Sequence, residues 1–351
     1  MDKLSQKEQI IISILIKNGM MQSSAISGEF NKTGGAVSLV TIKRALTEMA
    51  EKKLVAVSGS GRSTGYAITA LGRLISDIDA KAYCNVEPDK RYGLSSYNFD
   101  LFPAIPTEIF NNNELAVMDL AAADYEQRTS KISETIRKKE LERFIIELSW
   151  KSSKIEGNTY TLLDTEKLIL ENKEAPGHDK NETLMIINHK EALNFVLANT
   201  GEFKTLTRAN LEKLHEVLVK DMDVALELRK DAVGIAGSKY RPLGTAYQIQ
   251  EAIALLSDAI ERAGSPYAKA LLAVLGISYI QPFEDGNKRT ARLMANAFLF
   301  AHQKTPLSYR SVDEEEYREA VIVFYELNSL TPFKKIFIAQ FDFAARNYAL
   351  R

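Results

Sequence analysis

Residues 281–292 read Gln281-Pro282-Phe283-Glu284-Asp285-Gly286-Asn287-Lys288-Arg289-Thr290-Ala291-Arg292, and their order decides the fold around them. An apolar helix, with Leu271, Leu272, Leu275 and Tyr279 at helical spacing, ends before Pro282. A short loop carrying Asp, Gly and Asn follows. A second helix then begins and runs through Leu293, Ala297 and Phe298. Gly286 and Asn287 tolerate the backbone angles of an anion nest. The helix N-terminus behind them points free N–H groups at the same place. Lys288 and Arg289 add positive charge, and Arg292 shares a helix face with Arg289. Asp285 can hold a divalent cation against phosphate oxygens. The stretch reads as a nucleotide-phosphate site without a Walker loop.

The same stretch resembles the Fic family motif, H-x-F-x-[DE]-G-N-G-R-x-x-R, which Phe283, Asp285, Gly286, Asn287, Arg289 and Arg292 match without a gap. Upstream, Ser152-Ser153-Lys154-Ile155-Glu156-Gly157-Asn158 looks like the family's inhibitory motif, [ST]-x-x-x-E-[GN], carried here by Ser152, Glu156 and Gly157. Residues 231–240 resemble the target-docking flap, with Val233, Ile235, Gly237, Ser238 and Tyr240 as its residues. Tyr317 through Phe333 and Phe337 looks like the closing helices, so the resemblance covers Leu141 to Phe341.

The resemblance implies a mainly α fold: an all-helical Fic domain with a small β-hairpin flap. It implies protein adenylyltransfer, moving AMP from ATP with Mg²⁺ to a Ser, Thr or Tyr hydroxyl of a target protein. Many members of the inhibitory-Glu type also remove AMP. Asp285 would hold the metal. Gly286, Asn287, Lys288, Arg289 and Arg292 would bind the nucleotide. Glu156 would pair with Arg292 and block the γ-phosphate position. The hairpin would hold the target by strand addition.

Two residues depart from the pattern. Gln281 stands where the family has its catalytic His, so the catalytic set becomes Gln281, Asp285 and Arg289. A Gln amide does not titrate and cannot act as a general base, a loss that typically costs about 10²–10⁴ in rate. His189 lies in an apolar helical stripe and His215 on another helix, where a structural role is expected for each. Lys288 replaces Gly, as in the Doc branch, whose members act as kinases; a Lys here adds a phosphate contact. Two alternatives follow: a non-catalytic, nucleotide-sensing, DNA-binding transcriptional regulator, or a Doc-like kinase.

The N-terminal part reads differently. Ile10, Ile11, Ile14 and Leu15 form one apolar helical face; a short helix is expected near Ser23–Phe30, and a third runs from its Ser38 cap to about Leu54. Val55–Val57 and Tyr66–Ile68 flank a Gly/Ser turn, which predicts a hairpin. Three helices and a hairpin resemble a winged helix-turn-helix. That family places its third helix in the DNA major groove and its wing on phosphate, which here selects Thr41, Lys43, Arg44 and Arg62. The same architecture also serves as a dimerisation or protein-contact module, which leaves a homodimer open.

Charge supports the division. The 351 residues carry 45 Lys+Arg and 46 Asp+Glu, for a net charge of −1, but residues 1–75 alone hold ten basic and five acidic side chains. A basic module on an acidic remainder suggests a separate partner. One Cys excludes an internal disulfide or a Cys-based zinc site, and no apolar run is long enough to span a membrane. The polar start does not read as a signal peptide. The expectation is a cytoplasmic protein with no membrane partner: a winged helix-turn-helix over residues 1–78, a linker over 79–113 and a Fic domain over 114–351.

Overall fold

The computed structural model describes residues 4–33 and 37–350. The chain divides into two compact units. One comprises Met1–Pro106, Gly234–Arg241 and Arg318–Lys334; the other comprises Thr107–Val233, Pro242–Tyr317 and Lys335–Arg351.

The first unit opens with α1 (Gln6–Asn18), β1 (Met21–Gln22), α2 (Ser23–Lys32), α3 (Leu39–Glu51), β2 (Val55–Ser58) and β3 (Gly65–Ile68). Ser5 and Glu8 form a capping box on α1, and the Ser38 hydroxyl accepts the Thr41 amide to start α3. Val55 pairs with Ile68 and Ser58 with Gly65, and β1 adds to the other edge of β3, giving the antiparallel order β1-β3-β2. The two-residue β1 is too short to show an alternation that a sequence could reveal. Ile11, Leu15, Ile26, Phe30, Ile42, Leu46 and Met49 form the core with Val323 and Leu327. Those last two residues explain why a late helical segment belongs to this unit.

Residues 79–113 are not an open linker. They follow α4 (Ala70–Leu74), include α5 (Ala80–Cys84), and bury Tyr83, Leu101, Phe102, Ile105, Ile109 and Phe110. From Leu101 to Phe110 the buried apolar residues sit on irregular backbone, so no helical or strand period marks them as folded.

The second unit is built on α6 (Asn112–Thr129), α7 (Glu134–Ile155), α8 (Leu162–Glu171), α9 (Lys180–Ala198), α10 (Arg208–Leu218), α11 (Ala246–Arg262), α12 (Pro266–Ile280) and α13 (Asn287–Ala301). Residues of α14 (Glu314–Leu327) and α15 (Thr331–Asn347) fall in both units. From Tyr267 to Ile280, α12 buries every residue except Lys269, and α13 packs against α12, α9 and α10. A helix buried on all sides loses amphipathic contrast and reads as one long apolar run. The class is mainly α, as expected. No described helix is long and apolar enough to cross a membrane.

The β-hairpin expected over residues 231–240 is not formed. The segment contains no strand; it turns where the Ser238 amide donates to the Ile235 carbonyl at 3.1 Å. Its backbone groups find other partners. The Gly237 carbonyl accepts from Arg91 at 2.9 Å, and the Lys239 amide donates to the Glu326 carboxylate at 3.1 Å.

Candidate functional site

The site begins where α12 stops. Gln281 caps the helix in the left-handed conformation (φ 51°, ψ 62°), and its amide donates to the Ile277 carbonyl at 3.0 Å. Its side chain turns back, and Nε2 donates to the Ser278 carbonyl at 2.6 Å. A carbonyl only accepts, so this bond fixes which end of the buried amide faces Ser278. The next carbonyls would be orphans of the helix end. Buried Arg229 takes them: Nε donates to Gln281 O at 2.6 Å, an Nη to Ile280 O at 3.4 Å, and the Arg229 amide to Pro282 O at 3.0 Å. Its other Nη donates to Asp231 O at 2.6 Å, at the start of the flap segment.

The loop that follows is held by Asn287 and His215. Asn287 donates to Phe283 O and accepts from the Phe283 amide, both at 2.8 Å. One Nδ2 donor and the Oδ1 acceptor are thus engaged inside the loop, and the second Nδ2 hydrogen and the backbone N–H are the donors left for a phosphate. The His215 ring stacks on Phe283 at 3.6 Å and 6°, and Nε2 donates to Asp285 O at 3.0 Å. Burial pushes the His215 pKa down to about 4, so the ring is neutral and holds its proton on Nε2. Gly286 precedes α13 at φ 77°, and a Cβ there would lie 3.1 Å from Val219 and 3.5 Å from the His215 ring. Glycine meets both demands.

Asp285 presents a carboxylate that is 65% exposed and accepts from Arg289 at 3.1 Å. A single exposed carboxylate beside main-chain donors suits Mg²⁺, which draws most of its ligands from phosphate and water. Among the described residues no group of three or more His, Cys, Asp or Glu side chains is placed to hold a metal ion. Arg289 itself is buried, and burial lowers its pKa.

Behind the loop, Arg292 is fully buried and spends its guanidinium on α7. Nε donates to Ser152 Oγ at 2.9 Å, one Nη to Ser152 O at 2.7 Å, and the other to Glu156 Oε1 at 2.8 Å. The Tyr317 ring lies 5.6 Å from the guanidinium carbon. Glu156 Oε2 accepts from Lys288 Nζ at 3.0 Å. Burial would raise the Glu156 pKa, but Arg292 and Lys288 outweigh it and bring it down to about 2. Gly157 follows at φ 100° and ends α7. The structure therefore joins Ser152, Glu156, Lys288 and Arg292, which lie up to 140 residues apart.

The other expected residues lie elsewhere in the fold. In the first unit, Ser238 donates to Glu326 at 2.7 Å, and Tyr240 is buried against Tyr325. Val233 and Ile235 are partly buried and Gly237 is exposed. On α3, Lys43 and Arg44 are exposed, as is Arg62 between β2 and β3. The Thr41 hydroxyl lies 2.9 Å from the hydroxyl of Ser38, the residue that caps α3. Sequence reasoning missed Arg229. Its only signal was an Arg before the flap, and the partners that tie it to the end of α12 lie 51 and 52 residues away.

Comparison with known proteins agrees with this geometry. The Fic/DOC family profile matches residues 205–299. The chain is 25% identical over 184 residues to Protein adenylyltransferase fic-1 of Caenorhabditis briggsae, covering 51% of this chain and 36% of that protein. It is 26% identical over 187 residues to Protein adenylyltransferase Fic of Nematostella vectensis, covering 48% of this chain and 40% of that one. The match thus spans little more than a third of these relatives' length. Among solved structures, Fic-1 from C. elegans superposes with a TM-score of 0.59 at 20% identity, covering 67% of this chain and 72% of that one. A Fic family protein from Desulfovibrio desulfuricans G20 superposes at 0.55 and 22% identity, covering 69% and 75%. The motif loop, the helices that frame it and the profile match together make residues 205–299 of this chain a Fic/DOC family domain.

Proposed function

We propose that the chain is a self-restrained nucleotidyltransferase of the Fic type, which moves AMP from ATP to a hydroxyl of a target protein and is weak because Gln281 replaces the base. The observation that carries this reading is Glu156, lodged against Arg292 and Lys288 at the head of α13, where main-chain N–H groups would receive phosphate. The target oxygen attacks the α-phosphorus, the new P–O bond forms as the α–β bridge breaks, and pyrophosphate leaves. Arg289, Lys288 and the α13 amides stabilise the charge. Gln281 Oε1 accepts from the target hydroxyl and orients it, but the proton goes to solvent. Mg²⁺, held through Asp285, would neutralise phosphate charge.

ATP labelled on the α-phosphate tests this. Glu156→Gly with Gln281→His should label protein, itself included, and Glu156→Gly alone should do so about 10²–10⁴ more slowly. No label from the double variant overturns the transfer. Label only from the γ-phosphate would make the chain a kinase. ATP binding without any transfer would leave a nucleotide sensor.

The first unit we read as a winged helix-turn-helix that binds DNA. The order of α1 to β3 and the exposed Lys43, Arg44 and Arg62 support this. Fluorescence anisotropy on the gene's own upstream DNA tests it; absent or salt-insensitive binding overturns it.

A further inference from the structure

Lys288 stands where the Fic motif has Gly, and it adds a second cation to the Glu156 carboxylate. Its partner Glu156 uses both oxygens, one on Arg292 and one on Lys288. The two cations differ. Arg292 is 0% exposed and also donates twice to Ser152, so it is fixed in place. Lys288 is 34% exposed on a flexible four-carbon stem and makes this one ion pair. It also sits in the first turn of α13, beside main-chain donors that attract a second anion.

We propose that Lys288 is a shared cation: it holds Glu156 while the site is closed and passes to an incoming phosphate when Glu156 leaves. The inference rests on the nucleotide reading above and adds a regulatory role for this residue. A shared cation contributes to both states. With Glu156 present, losing Lys288 loosens the closed site and weakens phosphate binding together, so the two effects oppose each other in the measured affinity. Without Glu156, only the phosphate contact is lost. The signature is therefore an interaction between the two positions, not the size of either single effect.

Four proteins test this: the parent, Lys288→Met, Glu156→Gln and the double variant. Thermal unfolding without nucleotide reads the pair directly, and the double variant should lose less than the two single losses combined. Additive losses would overturn the closed-state role. Calorimetry with ATP and Mg²⁺ reads the sharing. Lys288→Met should weaken ATP binding about 10-fold or more when residue 156 is Gln, and less than about 3-fold when it is Glu. An equal factor in both backgrounds overturns the sharing but leaves the nucleotide reading intact. ATP binding to none of the four overturns the nucleotide reading and the sharing with it.

Discussion

The Arg229 guanidinium donates to the Gln281 carbonyl at 2.6 Å, so the left-handed cap that presents residue 281 is held by a side chain 52 residues earlier. The same group holds Ile280 O and Asp231 O. Removing it strands buried acceptors.

Arg229→Met should therefore lower the unfolding free energy of its unit by about 2–3 kcal/mol, since unsatisfied buried acceptors cost that order. Arg229→Lys should recover part of the loss. Calorimetric unfolding of the whole chain checks this. A midpoint unchanged by Arg229→Met would mean that the cap stands without it.

His215 offers a cleaner separation of roles. His215→Phe keeps the stack on Phe283 but loses the bond to Asp285 O, at a cost of about 1 kcal/mol. His215→Ala loses both and leaves a cavity, at about 3 kcal/mol. Both should weaken ATP binding, because each frees the loop that carries Asp285 and Gly286. Calorimetry with ATP alongside thermal melts distinguishes loop positioning from stability alone.

The Glu156 carboxylate sets a pH dependence. Its pKa falls from an ordinary 4.5 to about 2, so it contributes stability above 4.5 and loses that contribution as pH falls toward 2. The upper bound is about 3 kcal/mol. The stability difference between the parent and Glu156→Gln should be flat from pH 8 to 5 and shrink below 4.5. Urea melts across that range measure it.

On the first unit, Lys43→Ala and Arg62→Ala should each weaken DNA binding across all sequences and lower the salt slope by about one. Val40, on α3 with Lys43, is 77% exposed. Val40→Ser should alter base preference at one step rather than overall affinity, because an apolar side chain there can meet a thymine methyl. Anisotropy on two DNA sequences at several salt concentrations separates these effects.

Much of this was legible in the sequence, and what was not has a common cause. Pro282, Gly286 and the apolar runs on either side mark where α12 ends and α13 begins, because helix stops are written in local chemistry. Ser38 announces α3, and the Gly/Ser turn announces β2 and β3, for the same reason. The motif resemblance singled out Ser152 and Glu156 and led to the expectation that Glu156 pairs with Arg292, a contact the fold contains. Long-range partners left no periodic trace: Arg229 with Gln281, His215 with Phe283, and Glu326 with the flap segment. Asn287 shows a subtler limit. Its place in the motif suggested a phosphate ligand, and nothing in the sequence signalled that its side chain also bonds both backbone groups of Phe283. The flap was expected as a hairpin, but side chains rather than a sister strand take its backbone groups.

The bond from the Gln281 amide to the Ser278 carbonyl has a genetic consequence. Glutamine and histidine codons differ only in their third base, so this position stands one nucleotide change from an imidazole. A ring placed there would meet the same acceptor-only carbonyl, which would hold a proton on one nitrogen and leave the other basic. The fixed cap, the oriented carbonyl and the Arg229 brace are already in position.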